Sequence, residues 1–251
     1  MISVYSPDSG RSAAGGPELL AGAPVWIDLL EPTPEDEAAV EALIGIDVPT
    51  REEMQEIEVS SRLSRDGAGL VMTTPVLTDS SGFNPANTAL TFILTGERLV
   101  TVRYATPHAV TAYVERMVRP GGPRPATGGE VLLGLVEAVV DRMADVLERI
   151  GGELDGVSHR IFHQPVPARS RRRASSRELE VTLRSIGRNG DLTSKARDTI
   201  LGVRRIVGYL PPEDTALSVA NARARLETIS RDLQSLSEYA DFLNNKIGFL
   251  L

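Results

Sequence analysis

No cysteine occurs among the 251 residues, which removes disulfides, thiolate catalysis and cysteine-ligated zinc from consideration. Long apolar runs are missing too. No stretch reaches the roughly 18 consecutive apolar residues of a membrane-spanning helix, so no span is expected within the chain. The start, MISVYSPDSG, lacks the basic residue and apolar core of a secretory signal. There is no Gly-rich phosphate loop, no His-Glu-x-x-His and no visible nucleophile–base pair. Nothing therefore supports an enzyme, and no organic cofactor is expected. Positive charge is scarce in one half. Residues 1–129 carry nine Lys/Arg against 17 Asp/Glu, whereas residues 130–251 carry 18 against 17. The acidic half argues against nucleic acid as a partner and is compatible with attracting cations.

What is present divides into two regimes. The first half reads as mixed α and β. PVWIDLL (Pro24–Leu30) is a short apolar strand. It runs into a helix that Thr33 can cap, with Pro34 at its first position, three acidic residues in its first turn and Gly45 as its stop. Thr50 and Glu53 repeat the capping spacing. Gly69–Thr78 reads as a strand, and NTALTFILTGERLVTVRYA reads as a hairpin turning at Thr95–Arg98. A helix follows in PHAVTAYVERMVR, and the loop Pro120–Gly129 marks the change of regime.

The second half reads as three long helices, at roughly Glu130–His163, Arg173–Leu210 and Glu213 to the end. At ~1.5 Å per residue each is roughly 50–60 Å long. Gly151-Gly152 interrupts the first and is a place for a kink. The third carries the sharpest pattern. Leu226, Ile229, Leu233, Leu236, Ala240, Leu243 and Ile247 alternate steps of three and four, the spacing of a coiled-coil or bundle seam. A monomeric three-helix bundle and a homo-oligomeric stalk both fit this pattern. The stalk is the reading favoured here, because the seam continues to the last residues. The expected fold class is α+β: an N-terminal α/β domain with a mixed sheet over residues 1–119, a linker at 120–129, a helical hairpin at 130–212, and a stalk helix at 213–251. The three long helices would be antiparallel.

Candidate ligands are few. His159 and His163 stand four apart on one helix face, with Asp155 a turn earlier, a spacing able to hold a divalent ion. Arg169, Arg171, Arg172 and Arg173 form the one basic run. With antiparallel helices this run shares an end of the molecule with Lys246 and the apolar Phe249–Leu251, an arrangement that a cytoplasmic membrane surface attracts.

The segments VWIDLLEPTPEDE, VPTREEMQEIEVSSRL, LTFILTGERLVTVRYATPHAV and SLSEYADFLNNKIGFLL, in that order, resemble the CorA family of divalent-cation transporters, including its ZntB-like branch. The resemblance spans about residues 20–251. It implies a homopentamer on the cytoplasmic side of the cell inner membrane, whose stalk helix leads into a membrane span beyond the present sequence. The cargo implied is Mg2+, with Zn2+ or Co2+ as alternatives. In the family an aspartate of the stalk helps bind a regulatory ion; the matching position here is Thr228, which lacks a carboxylate. Glu227 beside it and Asp232 one turn later are the substitutes. The competing reading is a free-standing cytosolic coiled-coil scaffold protein.

Overall fold

A computed structural model describes all residues except 7–11, 23, 68, 83, 97, 164–172, 211–216 and 218. The elements are, in chain order, β1 (Ile2–Tyr5), β2 (Ser12–Gly15), β3 (Trp26–Leu30), α1 (Pro34–Ile44), α2 (Val59–Arg62), β4 (Leu63–Asp66), β5 (Gly69–Thr78), β6 (Ala86–Leu94), β7 (Leu99–Arg103), α3 (His108–Val118), α4 (Gly128–His163), α5 (Arg173–Tyr209) and α6 (Ala222–Leu250).

One seven-stranded sheet runs in the order β2-β1-β3-β7-β6-β5-β4. β3 and β7 pair in parallel and the other neighbours are antiparallel, so the sheet is mixed. The period of two in the strands sorts residues between two cores. Trp26, Leu90, Phe92, Leu94 and Leu99 face the long helices. Ile27, Leu29, Ile93, Val100 and Val102 face the opposite way, onto Val40 of α1 and onto Met54. Successive strand side chains point to opposite faces, and here both faces are covered.

Local signals explain several boundaries. Thr33 accepts from the Asp36 amide, and the Asp36 carboxylate returns the bond to the Thr33 amide. Gly45 closes α1 in the left-handed conformation, φ 68°. The same reciprocal bonds form between Thr50 and Glu53, but only a single 3-10 turn follows, Glu53–Gln55, before Glu56 returns to extended backbone. The hairpin closes where expected: Leu94 pairs with Leu99, and Thr95 bonds to Arg98. β1, β2 and β4 are strands that the sequence pattern did not reveal.

α4 runs unbroken through Gly151 and Gly152. The interruption there serves packing: a Cβ on Gly151 would lie 2.3 Å from the Tyr239 hydroxyl of α6. Contacts fix the helix directions. Arg225 reaches Glu137, Lys246 reaches Asp155 and Phe249 packs on Phe162, so α6 runs alongside α4 in the same sense. Arg197 pairs with Asp241 and Gly190 approaches Ile247, so α5 runs opposite to both. The helices are therefore up-down-up, each antiparallel to its neighbour in sequence. Among the described residues no strand follows residue 130.

α6 begins at Ala222, later than the expected start near Glu213. Asn221, at φ 60°, turns the chain into it. The start of α4 is a crowded junction. A Cβ on Gly128 would lie 2.2 Å from the Arg98 carbonyl carbon, and one on Gly129 would lie 1.7 Å from the Leu217 carbonyl oxygen. Only glycine admits such backbone approach.

Candidate functional site

The apolar seam of α6 is occupied within the chain. Leu226, Ile229, Leu233, Ala240, Leu243 and Ile247 are buried, Leu236 is partly so, and all join the core formed with α4 and α5. This revises the expectation that these side chains face a second copy. A heptad spacing dictates that a face be covered, and here α4 and α5 of the same chain cover it. The apolar groups left for a neighbour lie beside the seam: Tyr239 stacked on Phe242, then Phe249 and Leu251.

Glu227 and Asp232 are exposed on α6. Between them Thr228 donates its hydroxyl hydrogen bond to the Ala224 carbonyl. The Arg231 guanidinium donates to the Thr228 hydroxyl, at 3.3 Å, and to the Glu227 carbonyl. The point at which the resemblance expects a carboxylate thus carries a hydroxyl covered by a cation.

Across from Asp232, α4 presents Glu137, Asp141 and Asp145, four residues apart and so along one face. Glu137 is bound on both oxygens by Arg225, at 2.9 and 2.8 Å. Asp141 behaves differently. Partial burial pushes its carboxyl above the usual carboxylate range. Arg116 opposes that rise, while the charges of Glu137, Asp145 and Asp232 add to it. Asp145, Asp141, Arg116 and His108 also line a recess of about 250 Å³ between α3 and α4. Sequence reasoning passed over this row, although its spacing of four was visible; that Asp232, on another helix, stands beside it was not.

The fold does not bring the proposed histidine ligands together with a free carboxylate among the described residues. His159 is exposed, and Asp155, a turn before it, is committed to Lys246. The His163 side chain lies outside the described residues. Among the described residues no group of three or more His, Asp or Glu side chains is placed to hold a metal ion. Glu227, Asp232 and His159 therefore belong to no preformed site among the described residues.

Of the basic set, Arg169, Arg171 and Arg172 lie outside the described residues, and Arg173 begins α5. The end of α4 shares one end of the molecule with Phe249, as the contact of Phe162 with Phe249 shows. Lys246 is covered by its ion pair rather than free, with 18% of its side chain exposed.

A second charged assembly is structural. Asp28 on β3 accepts from Arg103 Nε and Nη2 and from the Thr101 hydroxyl, which itself accepts from Trp26 Nε1. Arg103 also donates to the Ala105 carbonyl and to the Thr106 hydroxyl. Every charge there is answered, and the group stands under the sheet surface.

The family model described as "CorA-like Mg2+ transporter protein" matches residues 21–251. The magnesium transport protein CorA of Pectobacterium atrosepticum is 26% identical over 229 residues, covering 91% of this chain and 69% of that relative. Among solved structures, the soluble domain of CorA from Methanocaldococcus jannaschii superposes with a TM-score of 0.75 at 14% identity, over 100% of this chain and 94% of that one. The ZntB cytoplasmic domain from Vibrio parahaemolyticus gives 0.61 at 10% identity, over 99% and 93%.

Proposed function

The chain belongs to the CorA-like Mg2+ transporter family, and we propose from that premise that it is the cytoplasmic, funnel-forming and regulatory part of a divalent metal ion transporter, with Mg2+ as the cargo. The observation that carries this reading is the fold: the whole chain follows a structure described as the soluble domain of a CorA protein. No helix among the described residues is long and apolar enough to cross a membrane. In this reading spans outside this sequence would cross the membrane, and α6, whose last turn carries exposed Phe249, would lead toward the bilayer. The full-length protein would be a homopentamer at the inner membrane. Subunits would meet along the outer face of α6 through Tyr239 and Phe242, the seam itself being filled from within.

Ion sensing falls to the acidic α4–α6 face. Mg2+ takes oxygen ligands and keeps several waters, so a site needs only one or two carboxylates, completed by a neighbouring subunit. Asp232 and Asp141 are the carboxylates this chain would bring.

The test uses the natural full-length gene product in a bacterial strain lacking its own Mg2+ uptake systems. Growth at limiting Mg2+ and Mg2+ entry into proteoliposomes are the expected results. A protein that reaches the membrane and moves no divalent ion would overturn the reading.

A further inference from the structure

Three arginines converge on the turn that joins β5 to β6. Arg142 of α4 donates from Nη2 to the Ser80 hydroxyl at 2.6 Å and to the Ser81 hydroxyl at 3.1 Å. Arg149, two turns further along α4, donates to the Ser80 carbonyl at 2.5 Å. Arg188 of α5 donates to the Gly82 carbonyl at 2.9 Å. Among the described residues none of the three forms an ion pair. The carboxylate within the turn is committed elsewhere: Asp79, at φ 50°, accepts from the Asn84 amide. Asp145 acts on Arg142 through space but stands beyond ion-pair distance.

Such an arrangement is electrostatically incomplete. A guanidinium carries five donors and no acceptor, and bringing three together is unfavourable unless negative charge joins them. Here the acceptors are neutral hydroxyls and carbonyls. A further observation shows the deficit. Arg142 Nε is buried with no hydrogen-bond partner, and an orphaned buried donor commonly marks a missing water or ion.

We propose that the Ser80–Gly82 turn is a binding site for a phosphate group, held by Arg142, Arg149, Arg188 and the exposed Ser81 hydroxyl. A phosphate offers several strong acceptor oxygens on one centre and so accepts from more than one guanidinium at once. It would fasten the β5–β6 turn to α4 and α5 together. The group has two possible sources. One is phosphate, or a phosphate monoester, from solution. The other is an ester on Ser81, formed when Ser81 Oγ attacks the terminal phosphorus of a nucleoside triphosphate. The new O–P bond forms as the bond to the leaving diphosphate breaks, and the hydroxyl proton passes to the base of the modifying kinase. The site is independent of the transport reading: it uses none of the residues assigned to ion sensing.

The experiment has two arms on the full chain. In the first, inorganic phosphate is titrated by calorimetry at ionic strength held constant with chloride. Saturable binding is expected, weakened by roughly tenfold or more in Arg149→Gln and in Arg188→Gln, which each remove a charge-assisted contact. These two variants are chosen because their wild-type side chains touch only backbone carbonyls in the turn, so the fold does not hang on them; circular dichroism checks this. In the second arm, protein from its native host is digested and weighed before and after phosphatase treatment. Loss of one phosphoryl mass from the peptide carrying Ser81 assigns the ester source. Binding without that mass assigns the free source. Binding unchanged in both variants, or displaced equally by chloride, overturns the proposal, as does absence of both binding and modification.

Discussion

The sheet interior and the α4–α6 face handle acidic charge in opposite ways. Under the sheet Asp28 is 2% exposed, clamped by Arg103 and bonded by Thr101. On the helices Asp141 stands half in water beside other carboxylates that push its pKa up. A dry charge must be fully answered, since an unpaired one costs several kcal/mol. A half-wet charge survives unanswered and stays available to a cation. The difference separates a structural ion pair from a candidate ligand without reference to residue type, which is the same in both places.

The strongest way to break the comparison is to strip the answer from Asp28. Arg103→Met should lower folding stability by about 3–5 kcal/mol, measured by urea unfolding. Asp28→Leu added to Arg103→Met should recover a large part of that loss, since no charge is then stranded. A single replacement that leaves the unfolding midpoint in place would show that water reaches Asp28 after all.

Second in size is the seam. Leu233→Ala should cost the isolated chain about 2–5 kcal/mol, because its side chain fills a core within one protomer. Phe242→Ala, at a site 55% exposed, should change folding by no more than about 0.5 kcal/mol, yet loosen the full-length assembly in sedimentation. The reverse pattern would restore the seam to a subunit boundary.

The third test sharpens the wet side. Mg2+ at ~100-fold excess over Kd should stabilise the folded assembly by roughly 2.7 kcal/mol per site. Thermal unfolding with Mg2+ against Na+ at matched ionic strength is the measurement. Asp232→Asn and Asp141→Asn should each reduce the shift; equal shifts in both variants and wild type would remove these residues from ion binding.

The smallest effect concerns pH without metal. The folded-state pKa of Asp141 lies above its unfolded value, so ionising it opposes folding. The penalty is absent in acid, grows as pH rises through the ordinary carboxylate range to the raised value, and is constant above it. Asp141→Asn should therefore raise the Tm slightly at neutral pH and leave it unchanged in acid. A Tm difference that is the same at both pH values would place the effect in packing rather than charge.

Much of this architecture was legible because it is local. Thr33, Pro34 and Gly45 bracket α1 within a dozen residues, and the β6–β7 hairpin closes on its own turn. The steps of three and four in α6 showed an apolar face but not which helices cover it, since coverage is a long-range matter. β1 and β2 hold only four residues each, and their place depends on pairing, β1 with β3 and β2 with β1, rather than on their own pattern. Asp28 sat unremarked in an apolar run because its partner, Arg103, lies 75 residues away. Likewise the acidic row of α4 gained meaning only when α6 laid Asp232 beside it. Thr228 is the exception, a departure visible from the sequence, and the structure adds Arg231 lying over it.

The glycines that open α4 set the mechanics of the whole chain. With no side chain at Gly128 or Gly129, the backbone of α4 abuts both the Arg98–Leu99 corner of the hairpin and the Leu217 carbonyl on the way into α6. There is no compressible layer at that joint. A shift of the Leu217 carbonyl toward α4, or of α4 toward the hairpin corner, would meet backbone directly, with no side chain in between to turn aside.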